Sequence, residues 1–126
     1  MRLLVCGPRT WTTDSHRDFV FDGIRSICRC EPPSAIISGG APGVDLHAHT
    51  FALINEYDSI VFEADWDTFG CRAGPLRNQR MLIEGKPDAV LAFQPKGKKT
   101  PGTQDMMRRA RRAGIPVNLR EYEEKV

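Results

Sequence analysis

Five short, continuous apolar runs recur along the chain, and segments with helical spacing separate them. Each run is four or five residues long and rich in Val, Ile, Leu or Phe, and together they are Leu3–Cys6, Ala35–Ser38, Ser59–Phe62, Ala89–Phe93 and Pro116–Leu119. Continuous rather than alternating apolar runs are typical of strands that are covered on both faces. We therefore predict an α/β fold, a single Rossmann-like three-layer sandwich around a mostly parallel five-stranded sheet.

The segments between these runs have the apolar spacing of amphipathic helices. We predict four helices, which cover Ser15–Cys28, Val44–Asn55, Pro75–Glu84 and Thr103–Ala113. Thr103 is a favourable N-cap for the last of them. No linker or repeat divides the chain, so residues 1–126 are predicted to form one domain.

The charge balance limits the classes of ligand. The chain carries 18 Lys and Arg against 16 Asp and Glu, and this net charge of +2 excludes a polyanion binder that acts by bulk charge alone. The charge is unevenly distributed, at −5 in residues 1–70 and +7 in residues 71–126. Either a solvated basic helix or a cationic wall facing an anionic ligand explains the basic half.

The N-terminus and the cysteines do not suggest secretion or metal binding. The first apolar run is too short for a signal peptide or a membrane span. Only Cys28 and Cys30 lie close together, without a second pair or a histidine cluster to complete a zinc site. We expect reduced thiols, a cytoplasmic location (the host cytoplasm if a phage encodes the chain), no metal or other cofactor, and no membrane contact.

The turn after the first run carries candidate ligand contacts. In parallel sheets, ligands bind at the carboxyl ends of the strands. Gly7 permits a tight exit from the strand, Arg9 offers a forked donor for phosphate, and Trp11 offers a flat face for a base. A plain turn with a surface arginine is the alternative.

A glycine-rich turn opens the second predicted helix. The turn lets the backbone approach a ligand closely and presents free N–H groups to an anion, and it contains Ser38, Gly39, Gly40 and Gly43. A turn that serves packing alone is the alternative. Asp45 would bind a ribose hydroxyl if it is functional, and otherwise its charge favours the helix dipole.

Two candidate segments follow the third run. The first contains Asp65 and Trp66, and Trp66 is a second candidate for stacking on a base. The other contains small, polar and basic residues near a helix start, namely Arg72, Gly74, Arg77, Asn78 and Arg80. Arg77 and Arg80 are three residues apart and share a helix face, which favours a phosphate grip together with Arg72. A solvated helix face is the alternative.

The last predicted helix brings a second helix N-terminus to the same crevice through Gly102 and Thr103, although a simple cap is the alternative. Its later arginines are interpreted as exposed surface, with nucleic-acid contact as the lesser alternative; they are Arg108, Arg109, Arg111 and Arg112. The three histidines form neither a metal site nor a catalytic triad.

Five segments, taken in order, resemble a known family. They are Leu-Val-Cys-Gly-Pro-Arg-Thr-Trp at 4–11, Ile-Ser-Gly-Gly-Ala-Pro-Gly-Val-Asp at 37–45, Ala-Asp-Trp at 64–66, Ala-Gly-Pro-Leu-Arg-Asn at 73–78 and Pro-Gly-Thr-Gln-Asp-Met at 101–106. They resemble the YspA-like branch of the SLOG superfamily, which includes the DNA-processing protein DprA and the LOG phosphoribohydrolases. The resemblance implies a Rossmann-like fold that binds a nucleotide or nucleotide-derived ligand, often in an oligomer. It places the ligand between Gly39–Asp45 and Gly102–Thr103, with Arg77 and Asn78 alongside.

The chain departs from the LOG pattern at one important position. In LOG enzymes, a Pro-Gly-Gly-x-Gly-Thr-x-x-Glu segment supplies a catalytic Glu, whereas Met106 occupies that position here. Asp105 is expected to point about 100° away on the helix. The catalytic residue of an N-glycosidase is therefore unknown, and Asp45 and Asp65 are the candidates.

Three hypotheses follow. In the first, a homo-oligomer binds a nucleotide-derived phosphate ligand as a sensor, carrier or sequestering protein. The alternative is a phosphoribohydrolase-type N-glycosidase that acts on nucleoside 5′-monophosphates, which needs a carboxylate in the site. The third is binding of single-stranded DNA in the manner of DprA, which predicts a steep salt dependence.

Overall fold

Strands and helices alternate along the chain in a computed structural model that describes residues 1–124. The strands are β1 (Arg2–Cys6), β2 (Ala35–Ser38), β3 (Asp58–Val61), β4 (Ala89–Pro95) and β5 (Val117–Tyr122). The helices are α1 (Asp14–Cys28), α2 (Val44–Ile54), α3 (Trp66–Phe69), α4 (Ala73–Ile83) and α5 (Pro101–Arg112), and a 3₁₀ turn at Gly70–Arg72 joins α3 to α4.

The five strands form one parallel sheet in the order β3-β2-β1-β4-β5. The chain adds β2 and β3 on one side of β1 and then returns to add β4 and β5 on the other side. The strand order therefore reverses between β1 and β4, and a crevice opens outside their carboxyl ends at such a point. The α/β, Rossmann-like fold predicted from the apolar runs is confirmed.

The central strands are apolar because helices cover both faces of the sheet. Successive side chains of a strand point to opposite faces. On β1, Leu3 and Val5 pack in a cluster with residues of α1 and α2, whereas Leu4 packs with Met81 of α4 and Met106 of α5. The structure therefore has three layers, and each helical layer is anchored through its own set of buried β1 side chains.

Two helices begin two residues earlier than the sequence pattern suggests. Helix α5 begins at Pro101 with Thr100 as its N-cap, so the predicted N-cap at Thr103 is wrong, and Thr103 is a buried residue of the first turn. Proline suits the first helical position because its fixed φ is helical and the missing N–H has no partner there. For the same reason, α4 accommodates Pro75 within its first turn and begins at Ala73.

The connection from β3 to α4 contains structure that the apolar pattern does not predict. Helix α3 and the 3₁₀ turn at Gly70–Arg72 contain no buried residue, so they lack the periodic apolar face that identifies a helix in sequence. They bring Trp66 to the carboxyl edge of the sheet. No helix within residues 1–124 has the length and apolar character needed to cross a membrane.

Candidate functional site

A cavity of about 510 Å³ lies at the carboxyl edge of the sheet, where the strand order reverses. The turns after β1 and β2 form one wall, the start of α5 forms the opposite wall, and α4 crosses between them. Ten of the residues predicted from sequence line it: Gly7, Arg9, Gly39, Asp45, Trp66, Gly74, Arg77, Asn78, Gly102 and Thr103. Segments far apart in sequence therefore meet around one cavity.

Trp11 does not contribute to this cavity, and the prediction that it stacks on a base is wrong. Its indole is 1% exposed and lies parallel to the His16 ring, with the centroids 5.0 Å apart. The Tyr122 ring meets it edge-on at 5.6 Å. The side chain turns inward because α1 and β5 together offer an aromatic environment that buries the whole ring.

The predicted phosphate grip of Arg72, Arg77 and Arg80 is also wrong, because of these three residues only Arg77 lines the cavity. Arg80 lies on the outer side of α4, where its Nε donates to Glu84 Oε2 at 2.9 Å and its guanidinium lies 5.5 Å from the Phe62 ring centroid. The i,i+4 acidic partner holds Arg80 away from Arg77. Arg72 is exposed and lies outside the cavity lining.

Three other predicted residues lie outside the lining of this cavity. Asp65 is the N-cap of α3, where its Oδ1 accepts the Thr68 N–H at 3.1 Å, and it is absent from the cavity lining. Gly43 has φ of 77°, and a Cβ there would meet the Pro8 carbonyl, so only glycine lets α2 begin so close to the turn after β1. Ser38 is buried at the end of β2.

Gly40 lies beside the main cavity. It lines an adjoining space of about 330 Å³, which shares Arg9, Gly39, Trp66 and Arg77 with the main cavity. Its φ of 73° belongs to the left-handed region, so the turn after β2 requires glycine at this position too.

Asp45 and Arg77 meet at the β2–α2 turn. Asp45 is 7% exposed, and its Oδ2 accepts the Ala41 N–H at 3.2 Å. Burial raises the pKa of Asp45 to about 6, although Arg77, two backbone N–H groups and Arg9 act in the opposite direction. Burial lowers the pKa of Arg77, while Asp45 favours its charged form. The cavity thus contains a titratable carboxyl group beside a partly buried cation.

Gly39 permits this close arrangement. The Arg77 guanidinium donates through Nη1 to the Gly39 carbonyl. A Cβ at position 39 would lie 2.7 Å from Arg77 Cζ and 3.0 Å from Asp45 Oδ2. Both distances are shorter than ordinary carbon contacts, so glycine is needed for Arg77 and Asp45 to approach the turn.

Arg9 and Trp66 form the outer part of the cavity. Arg9 Cζ lies 5.6 Å from the Trp66 ring centroid, within the range of a cation–π contact. Trp66 is 47% exposed. Its indole is therefore available to a flat ligand group, in contrast to the buried Trp11.

The N-terminus of α5 forms the opposite wall of the cavity. Its N-cap Thr100 makes no side-chain capping bond, and Pro101 has no N–H to offer. Gly102 and Thr103 line the cavity, and a Cβ added at Gly102 would meet nothing within 4 Å. The Thr100 hydroxyl is buried without a hydrogen-bond partner in the described part of the chain. This wall therefore offers unsatisfied polar groups to a ligand.

Asp105 is a cavity residue that the sequence reasoning missed. It lines the cavity, whereas Met106 is buried in the core with Met81 and Leu4. The two side chains point in different directions, as expected, but the one that faces the cavity is Asp105 and not the residue at the position of the LOG glutamate. The position of Asp105 three residues after Gly102, on the same helix face, is the sequence signal that could have identified it.

Within residues 1–124, neither Cys6 at the floor of the cavity nor the histidines belong to a cluster of metal-ligating groups. Cys6 lies at the floor, and burial, followed by the nearby Asp45, raises the pKa of its thiol so that it stays neutral. His47 Nε2 lies 2.7 Å from the Trp11 carbonyl oxygen, and His49 Nδ1 lies 2.6 Å from the Ser59 hydroxyl. No group of three His, Cys, Asp or Glu suited to a metal occurs within residues 1–124.

Two comparisons by sequence found relatives of the chain. A model of the "YspA, cpYpsA-related SLOG family" (YAcAr) matches residues 1–69. The Gene 61 protein of Mycobacterium phage D29 is 35% identical over 122 residues, which cover 92% of this chain and 93% of the phage protein.

Two solved structures are similar at low sequence identity. One is the molybdenum cofactor carrier protein MCP from Chlamydomonas reinhardtii, with a TM-score of 0.66 and 17% identity over 94% of this chain and 75% of that chain. The other is the DNA processing protein A (DprA) from Streptococcus pneumoniae, with a TM-score of 0.54 and 19% identity over 93% of this chain and 58% of that chain. These two similarities concern the fold.

Proposed function

The chain belongs to the YspA, cpYpsA-related SLOG family, and we propose that it binds a nucleotide or nucleotide-derived ligand by its phosphate in the cavity at the carboxyl edge of the sheet. The observation that carries this proposal is the meeting of Arg9, Arg77 and the uncapped N-terminus of α5 around one cavity. All three attract an anion. In this proposal the protein acts as a sensor, carrier or sequestering agent for the ligand.

The phosphate is proposed to lie against the first turn of α5. The Gln104 N–H already bonds the Thr100 carbonyl, so Gly102 and Thr103 supply the backbone donors that remain free of the helix ladder. The unpartnered Thr100 hydroxyl supplies a third donor. Arg77 approaches from α4, on the side of the β2–α2 turn, and neutralises the charge.

The remaining parts of a nucleotide match the remaining cavity groups. Asp45 is mostly ionised above pH 6 and then accepts hydrogen bonds, which suits a ribose hydroxyl and repels a phosphate. The half-exposed indole of Trp66 suits a base. The cavity volume of about 510 Å³ lies within the range of sites for small organic ligands.

Calorimetric titration with AMP and adenosine tests the proposal. We expect AMP to bind and adenosine to bind roughly 100-fold more weakly, because the nucleoside lacks the group that Arg77 and α5 would hold. The Arg80→Gln variant is the matched control, since Arg80 is an exposed arginine on the same helix, and it should bind AMP like the wild type. Equal affinities for AMP and adenosine, or no binding of any nucleoside monophosphate, would overturn the proposal.

A second candidate function is N-glycosidic cleavage of a nucleoside 5′-monophosphate. The observation that favours it is the Asp45 carboxyl group, which lies in the cavity with a pKa of about 6 and so can exchange a proton near neutral pH. Incubation with a panel of nucleoside monophosphates, followed by chromatography for free base, tests it. Base release by the wild type and its loss in Asp45→Asn support cleavage, whereas release no greater than in buffer excludes it.

The homo-oligomer expected from the family resemblance stays a prediction. Helix α2 exposes Leu46, Leu53 and Ile54, which supports a contact with a second copy. Light scattering on the purified chain tests this, and a mass equal to one chain at all concentrations would exclude it.

A further inference from the structure

A continuous chain of hydrogen bonds crosses the cleft beneath the proposed ligand. On α5, Asp105 Oδ2 accepts from Asn78 Nδ2 at 3.0 Å, and on α4, Asn78 Oδ1 accepts from Arg77 Nε at 3.1 Å. Arg77 Nη1 in turn donates to the Gly39 carbonyl at the β2–α2 turn. The two walls of the cavity are thus joined through two consecutive residues of α4.

The direction of every bond in this chain is determined by groups that can play only one role. A carboxylate is only an acceptor, and a guanidinium is only a donor. The amide group of Asn78 must therefore turn its NH₂ toward Asp105 and its oxygen toward Arg77. The Gly102 carbonyl, 3.4 Å from Asn78 Nδ2, lies on the same side and favours the same orientation. Asn78 is 6% exposed, so water is poorly placed to substitute for a lost partner.

Asp105 is itself held firmly. Arg109 Nε donates to its Oδ2 at 2.9 Å, and Arg108 Nη2 donates to its Oδ1 at 2.8 Å. Two arginines of the basic α5 surface are therefore engaged with a cavity residue. They hold the Asp105 carboxylate in its orientation toward α4.

We propose that Asp105 is a positioning residue for Arg77, acting through the Asn78 amide. Asp105 fixes the amide orientation, the amide oxygen holds Arg77 Nε, and the Gly39 carbonyl holds Nη1, so the rest of the guanidinium is presented to the cavity in one orientation. The effect on ligand affinity rests on the proposed function, in which Arg77 contacts a phosphate. The effect of Asp105 on the orientation of Arg77 does not depend on the proposed function.

The Asp105→Asn variant tests the direction of the hydrogen bonds at nearly constant shape. An amide at position 105 can donate as well as accept, so position 105 no longer fixes the Asn78 orientation, which is then held by Arg77 Nε and the Gly102 carbonyl alone. We expect hydrogen exchange of the Arg77 Nε–H, followed by NMR in the ligand-free protein, to become about tenfold faster. AMP affinity should fall about tenfold as well. Arg111→Gln, on the exposed face of the same helix, is the control and should change neither quantity.

Exchanging the asparagine and the aspartate between positions 78 and 105 provides the decisive comparison. In the double variant Asn78→Asp/Asp105→Asn, the carboxylate at position 78 accepts from Arg77 Nε with one oxygen and from the new amide with the other. The new amide oxygen then takes the place of Asp105 Oδ1 and accepts from Arg108, and Arg109 loses its acceptor at Oδ2. We expect the Arg77 Nε–H exchange rate to return to within about threefold of the wild type. A role of Asp105 limited to packing α5 against α4 predicts no such rescue, and thermal unfolding of each variant reports on that packing.

The outcomes separate the two proposals. If AMP fails to bind the wild type but Asp105→Asn still speeds the Arg77 Nε–H exchange, the proposed function is wrong and the positioning role holds. If AMP binds and the exchange rate is the same in wild type and Asp105→Asn, the positioning role is wrong. An exchange rate in the double variant no closer to wild type than that of Asp105→Asn also overturns it.

Discussion

The two walls of the cleft each present one aspartate, and the two carboxyl groups have opposite surroundings. Asp45, on the β2–α2 wall, is buried, accepts a backbone N–H, and has a pKa raised to about 6 by burial. Asp105, on the α5 wall, is clasped by Arg108, Arg109 and Asn78 at 2.8 to 3.0 Å. The Asp45 carboxyl group can thus change its charge near neutral pH, whereas three hydrogen-bond donors fix the orientation of the Asp105 carboxylate.

This difference shows how one residue type serves two purposes in a single cleft. A buried carboxylate that is incompletely compensated costs stability when it ionises. Such a group is typical of a site that interacts with a ligand rather than of a structural contact. On the α5 wall, the charged side chains form hydrogen bonds with one another instead. The helix N-terminus stays available to an anion.

The largest expected effect concerns the charge of Asp45. Its pKa is raised from 3.8 to about 6, so the folded state holds this proton more tightly than the unfolded state. The resulting stability is complete below about pH 4 and is lost as the pH rises through 6, a loss of about 3 kcal/mol. Asp45→Asn should remove this dependence. Urea unfolding at pH 4.5 and 7 covers about 2 kcal/mol of this loss, and identical pH dependence in wild type and variant would contradict the account of this wall.

The next effect concerns Arg77, the cation that lies between the two walls. Arg77→Lys keeps the charge but cannot bond Asn78, Gly39 and a phosphate at once, because the ammonium lacks the planar fork. We expect AMP affinity to fall about 100-fold while the protein remains folded. Calorimetry measures the affinity. A loss of less than about threefold would show that Arg77 lies outside the ligand contacts.

A smaller effect isolates the α5 wall. In Gly102→Ala, the added Cβ meets no protein atom within 4 Å, so the fold should tolerate it. Replacing glycine at a compatible site raises the free energy of unfolding by about 0.5 kcal/mol. The methyl group nevertheless enters the space proposed for phosphate, and AMP affinity should fall about tenfold. Calorimetry and urea unfolding on the same sample separate these effects, and unchanged affinity would remove the phosphate from this helix start.

The smallest effect concerns Trp66. Trp66→Ala should weaken AMP binding about fivefold through lost stacking, and Trp66→Phe should restore most of it. Calorimetric titration measures the AMP affinity of the alanine and phenylalanine variants against the wild type. A result in which Trp66→Ala binds like the wild type would show that the base lies elsewhere in the cavity.

The fold could be predicted from sequence because burial on both faces leaves a local signal. The apolar runs at Leu3–Cys6 and Ala35–Ser38 correspond to β1 and β2 within one residue. Gly39 and Gly102 could be placed at the site for a related reason, since strand ends and helix starts share one edge of a parallel sheet.

The missed features depend on partners that are distant in sequence. Nothing near Trp11 indicates that Tyr122 completes an aromatic environment around it. Asp105 turns toward the cavity to meet Asn78, which is 27 residues away. The direction of a side chain next to a strand or on a helix is decided by such tertiary contacts, and local pattern carries no information about them.

The position of the phosphate can be determined by NMR. Titration of the ¹⁵N-labelled protein with AMP, followed by NMR, should produce the largest shifts at the Gly102 and Thr103 amides and at the Arg77 Nε–H. Adenosine should leave these three signals nearly unchanged. Shifts concentrated instead on the exposed face around Arg111 and Arg112, or equal responses to AMP and adenosine, would contradict a phosphate site between the two walls of the cleft.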